Sequence, residues 1–183
     1  MVAWGAKSFW QTPREAAEVP VEAASDVKAI SSGMYGHLAL RVDGAVIQWT
    51  PDFGPATVHA GLSNFTAISA SEHNNHMMAL LGDGSLEVWG DDFYGQVSGK
   101  PAGLVGVSAI AAGSMHCLAL LKNGTVVMWG GNRDVGQVPL VAQSDVTAIA
   151  ASAAWSMALL RNGSVVAWHR QVMLAPPLNQ QLG

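Results

Sequence analysis

An eleven-residue block recurs four times along this chain and confines it to a repeat architecture. The copies read ALRVDGAVIQW (39–49), ALLGDGSLEVW (79–89), ALLKNGTVVMW (119–129) and ALLRNGSVVAW (158–168). Trp49, Trp89, Trp129 and Trp168 follow one another at steps of 40, 40 and 39 residues, and Gly44, Gly84, Gly124 and Gly163 keep the same steps. A unit of this length cannot bury its apolar surface alone, so the units must stack into a shared core.

Composition agrees with a packed core. Half of the 183 residues are hydrophobic and only 12% are charged, which excludes a disordered chain. A formal charge of −4 with no run of Lys or Arg leaves no basic stripe to neutralise phosphates, so nucleic acid is not an expected partner. The single cysteine, Cys117, forms no internal disulfide, and MVAWGAKSFW lacks the basic start and long apolar run of a secretory signal. A reducing, cytoplasmic setting is the default expectation. The longest apolar stretch, 104–121, is broken by Gly106, Gly113 and His116 and lies on the repeat register, which reads as strand and not as a membrane span.

Each copy holds a hairpin signal, with Asp43-Gly44, Asp83-Gly84, Asn123-Gly124 or Asn162-Gly163 between two apolar runs. These dipeptides predict a two-residue type I′ turn with positive φ at both positions. The arm after each turn ends in the register tryptophan and is apolar on both faces, apart from Gln48 and Glu87, so it is expected to be covered on both sides. Upstream lies a further strand, VKAISSG (27–33), FTAISA (65–70), VSAIAAG (107–113) and VTAIAAS (146–152), marked by Ile30, Ile68, Ile110 and Ile149. Loop segments such as GDDFYGQVSGKPAGL (90–104) leave room for a short outer strand. Three or four antiparallel strands per 40 residues, stacked face to face, predict an all-β propeller of about four blades; the turns and the missing 3.6-residue period exclude a helical solenoid.

The order Ala-Ile, Ala-Gly, two residues, His, an Ala-Leu strand, an Asp/Asn-Gly turn and a Trp-Gly strand end resembles the RCC1-type repeat (regulator of chromosome condensation). The fullest copy is IAAGSMHCLALLKNGTVVMWGGNRDVGQ (110–137). In its link segment, REAAEVPVEAASDVKAI (14–30), the chain looks closest to the bacterial β-lactamase inhibitor protein II. The likeness covers Val2 to about Trp168, as one repeat domain with units at about 5–49, 50–89, 90–129 and 130–168 and a tail at 169–183. Two departures stand out. The family histidine is present as His76 and His116 but replaced by Gly36 and Trp155, and SASEHNNH (69–76) carries two extra residues. Members are typically seven-bladed, so four blades predict an open arc with two raw blade faces and a tendency to self-associate.

Successive loops of a blade alternate between the two sides of the disc, so the loops before each hairpin and after each tryptophan share one side. There the sequence places Tyr35, Glu72 to Asn75, Trp155 and, after the tryptophans, Trp10, Phe53, Asp92, Phe93, Tyr94 and Asn132 to Asp134. Aromatic and acidic loop residues on a rigid scaffold suit a protein-binding face. The same aromatics could instead cover the rim of the core, and both readings stand. His76 and His116 recur at the repeat distance and are expected to be structural and hydrogen-bonded; Cys117 is expected to be buried and inert. The Gly-Trp-Arg-His-Thr motif of the ultraviolet-B receptors of this fold is absent, as are a P-loop, zinc spacing and a nucleophile with a placed base, so neither enzyme nor cofactor is expected. The resemblance implies a binding scaffold, inhibitor-like in one direction. In another it implies an exchange factor for a small GTPase, or a structural part of a longer repeat protein.

Overall fold

The computed structural model describes residues 19–50, 55–59, 64–131, 137–169 and 172–174. They form four antiparallel sheets, each a blade. The first holds β1 (Val27–Ser32), β2 (His37–Arg41), β3 (Val46–Trp49) and β4 (Thr57–His59). The second holds β5 (Phe65–Ala70), β6 (His76–Leu81) and β7 (Leu86–Gly90); the third holds β8 (Val107–Ala112), β9 (His116–Leu121) and β10 (Val126–Gly130). The fourth holds β11 (Val146–Ser152), β12 (Trp155–Leu160), β13 (Val165–His169) and β14 (Val172–Leu174). An outer strand is thus present in the first and last blades, while 90–104 runs as turns. No helix among the described residues is long and apolar enough to cross a membrane.

The hairpins close differently from the type I′ expectation. Only the glycines take positive φ, 84–85° at Gly44, Gly84, Gly124 and Gly163. Arg41 N–H donates to the Ala45 carbonyl and Gly44 N–H to the Arg41 carbonyl, which makes a three-residue loop with a left-handed glycine at its end. The Asp or Asn before the glycine works through its side chain. Its Oδ1 accepts the N–H two residues on, at 3.1 Å for Asp43, 2.8 Å for Asp83 and 3.0 Å for Asn123 and Asn162.

Alternation gives each blade a forward face and a rear face. Leu38, Leu40 and Val46 point forward onto Phe65, Met77 and Ala79 of the second blade. Met78, Leu80, Leu86 and Val88 likewise meet Val107, Cys117, Ala119 and Trp129 of the third. Leu118, Leu120 and Val126 meet Val146, Ala158, Val166 and Trp168 of the fourth. The register tryptophans are therefore core, on the rear face of each blade. Hydrogen bonds repeat alongside: the carbonyls of Gly44, Gly84 and Gly124 accept the N–H of Phe65, Val107 and Val146 in the following blade.

The two ends of the arc differ, against the expectation of two raw faces. On the rear of the first blade Ala39, Ile47 and Trp49 are buried, in a cluster with Ala23 of the turn Val21–Ala23. Ile30 of β1 and Val58 of β4, which pairs with Ile47, stay exposed on that face. The forward face of the fourth blade is bare.

Candidate functional site

The loops ahead of the hairpins come together on one side of the arc. Met34 N–H donates to the Glu72 carbonyl at 3.0 Å, and Ser114 N–H donates to the Ala153 carbonyl at 2.8 Å. Glu72 Oε2 accepts from Ser152 Oγ at 2.7 Å and Ala153 N–H at 3.2 Å, so the second blade is tied to the fourth across the third. His73 Nδ1 lies 3.1 Å from Ser114 Oγ, and Ser71 Oγ donates to the Ser114 carbonyl. Those bonds from Ser152 and Ala153 hold the Glu72 carboxyl below its ordinary range. The two-residue insertion in 69–76 was the sequence signal for this bridge; its target was not readable.

A loop that follows a tryptophan joins the same side, through Asp91 N–H to the Asn75 carbonyl at 2.9 Å. It is built to be stiff. Asp92 Oδ1 accepts the N–H groups of Val97 and Ser98 at 2.8 and 2.9 Å, and these bonds lower its pKa. Asp91 Oδ1 accepts from Phe93 N–H, and the buried Gln96 accepts from Tyr94 N–H through Oε1 and from Trp129 Nε1–H through its carbonyl. On this frame the Phe93 and Tyr94 rings meet edge to face at 4.9 Å, with Phe93 79% exposed. Asp92 thus serves the loop's own backbone first. Tyr35 stands exposed beside Met34 in the loop tied to Glu72.

Trp155 follows the loop of Ala153, at the edge of that side. It opens β12, with its side chain on the forward face of the fourth blade and its ring 5.1 Å from that of His169. Trp10, Phe53 and Asn132 to Asp134 lie outside the described residues.

His76 and His116 are both fully buried, and burial pushes each pKa down to about 4. His116 has its expected partner, Ser156 Oγ at 2.9 Å; the ring nitrogens of His76 meet none. Among the described residues no three His, Cys, Asp or Glu side chains converge as a metal site. The Cys117 thiol is buried, points its S–H at the Gln96 carbonyl, and is raised in pKa by burial. One functional-looking residue was legible only as an exception: Gln48, whose Oε1 accepts from Trp89 Nε1–H at 2.8 Å and lies 3.1 Å from His59 Nε2.

Residues 107–137, which contain the whole third blade, match the regulator of chromosome condensation (RCC1) repeat. No curated protein sequence matches the chain. Among solved structures the fold is similar to Prp20p of Saccharomyces cerevisiae, with TM-score 0.65 at 20% identity, over 82% of this chain and 47% of that one. It is similar also to the ectodomain of the Physcomitrella patens receptor kinase CR4, with TM-score 0.66 at 22% identity, over 82% and 42%. Human WBSCR16 gives 0.62 at 19%, over 78% and 47%. The chain therefore spans about half the length of these three solved structures. Blade order and fold agree: the described residues form a β-propeller arc of four blades, of which the third matches the RCC1 repeat.

Proposed function

We propose that this chain is a non-catalytic protein-binding scaffold, and that its partner docks on the side that carries Tyr35, Asp92, Phe93 and Tyr94. The observation that carries this reading is the Asp91–Val97 loop. Three of its side-chain oxygens, Asp91 Oδ1, Asp92 Oδ1 and Gln96 Oε1, are spent on holding its own backbone, while Phe93 is left 79% exposed. Holding a large apolar ring in water on a stiff loop contributes nothing to folding, and it lowers the ordering cost when a partner covers it. Similar proteins point to the same class of activity. Prp20p binds Gsp1p and histones, and yeast RCC1 (Prp20) is bound by Kap60.

The test is affinity capture with the 183-residue chain, followed by binding measurements on Phe93→Ala and Tyr94→Ala. Each change should weaken the partner by more than about 1 kcal/mol, with Phe93→Ala leaving the melting temperature unchanged. Capture of a hydrolase would select an inhibitor-like role; capture of a small GTPase would select exchange-factor activity. Binding that survives both substitutions, yet is lost when Asp43 and Asp83 are changed, would move the site to the hairpin side of the disc.

A further inference from the structure

The loop side carries apolar surface that the fold leaves uncovered. Met34 is 66% exposed, Tyr35 47% and Phe93 79%. The loops that present them are tied to their neighbours, through Met34 N–H to the Glu72 carbonyl and Asp91 N–H to the Asn75 carbonyl. Large side chains held open on one side of a packed scaffold form a docking surface, and the charges around them select what docks.

Charge is sorted across the disc. Among the described residues every Lys and Arg stands on the hairpin side. Arg41, Lys122 and Arg161 sit at the hairpin tips, and Lys28 and Lys100 reach carbonyls next to them, those of Phe65 at 3.2 Å and Leu86 at 2.8 Å. Asp26, Asp43, Asp83 and Asp145 stand among these cations, with Arg41 3.1 Å from Asp43 and Arg161 3.9 Å from Asp145. The loop side holds Glu72, Asp91 and Asp92 with no described Lys or Arg beside them. Asp52, Arg133, Asp134 and Arg170, in other segments after the tryptophans, lie outside the described residues and cancel in charge.

The bonds that hold these carboxylates leave their charge in place. Glu72 and Asp92 accept from neutral O–H and N–H groups, which fix them and favour the ionised form without neutralising it. His73, with Nδ1 3.9 Å from Glu72 Oε2, is a cation only when protonated. Resting on the protein-binding role of this side, we propose that its partner is a basic protein segment, which lays an arginine over the Phe93 ring and sets its guanidinium against Asp92. Asp92 and Phe93 are adjacent in the chain, so carboxylate and ring are offered together. A guanidinium is planar and stacks on the one while pairing with the other. An acidic segment would be repelled, and a neutral one would use the ring alone.

Fluorescence anisotropy with two labelled peptides tests this, one alternating arginine with leucine and the other glutamate with leucine. The 183-residue chain should bind the first and not the second. Asp92→Asn keeps an Oδ1 acceptor for Val97 and Ser98, and it should weaken the arginine peptide by about fivefold or more, as should Phe93→Ala. Asp83→Asn takes the same charge from the hairpin side and should leave binding unchanged. Equal losses from Asp92→Asn and Asp83→Asn would reduce the attraction to net charge and overturn the proposal. Equal affinity for the two peptides, or no binding of either, would overturn it too. The partner obtained by affinity capture separates this inference from the wider reading. Loss with Phe93→Ala but indifference to Asp92→Asn and Glu72→Gln would remove the basic segment alone, whereas indifference to Phe93→Ala and Tyr94→Ala would remove the loop-side site itself.

Discussion

Glu72 and Ser152 belong to blades that do not touch as neighbours, yet Glu72 Oε2 accepts the Ser152 hydroxyl at 2.7 Å and the adjacent Ala153 N–H at 3.2 Å. The contact joins the second blade to the fourth above the third. It adds a direct link to the step-by-step ties of the loop side, from Ser71 and His73 to Ser114 and from Ser114 to Ala153.

Glu72→Gln should lower the melting temperature at neutral pH. The carboxyl is depressed in the fold, so its contribution is present above the unfolded value of 4.5 and is lost as pH falls through the lower folded value. Melts of the wild-type chain and Glu72→Gln should accordingly converge in acid below pH 4.5. A constant gap down to the bottom of the titration would mean that the bridge carries no charge-dependent stability.

The two buried histidines make a prediction of the same sign at milder pH. With folded values near 4 against 6.5 when unfolded, the unfolded chain takes up protons first as pH drops from 6.5 towards 4, and the fold loses stability through that window. His116→Asn, which keeps a partner for Ser156, should flatten the loss. Imidazole resonances of His76 or His116 that titrate near pH 6.5 would contradict their burial.

Gly124→Ala and Gly163→Ala are a matched pair, since both glycines have φ near 85°. Each substitution carries the left-handed backbone strain, of about 1 kcal/mol or more. At Gly124 the new methyl also sits 3.1 Å from Asp145 N and displaces the junction to the fourth blade. Chemical denaturation should therefore rank Gly124→Ala well below Gly163→Ala. Equal losses would mean that the glycine carbonyl is not a joint between blades.

Trp129→Ala should cost about 3–5 kcal/mol, because a large side chain 6% exposed is removed from between two blades along with its bond to the Gln96 carbonyl. The Cys117 thiol, which pairs with Trp129 across β9 and β10, should become reactive towards a thiol reagent in this variant and stay silent in the wild type. An unchanged melt would remove the register tryptophans from the core.

The strands and their blade order were readable because a 40-residue period fixes which positions share a face. The turn was readable in place but not in type, since Asp-Gly suits both a two-residue turn and a longer loop in which the Asp side chain holds the chain and only Gly turns left-handed. A further regularity went unread. Asp26, Asn64, Gly106 and Asp145 all take positive φ just before the first strand of a blade, and their carbonyls accept the N–H groups of Val42, Gly82, Lys122 and Arg161 from the hairpin tips. The residue type varies, and the shared tolerance of left-handed backbone was the signal. Trp155 shows the deeper difficulty. Its position in the repeat was plain, but whether a forward-facing side chain is covered depends on the next blade, which no local pattern states.

The bond from each hairpin glycine to the blade that follows makes the arc unequal along its length. Gly44, Gly84 and Gly124 are gripped from ahead, while Gly163 closes the series with no following strand against it. In a linear array the ease of local opening reflects the number of neighbours. Amide exchange should therefore be slowest in β6 and β9, in the two middle blades, and fastest in β12 and β13. The last hairpin is the place where this fold begins to come apart.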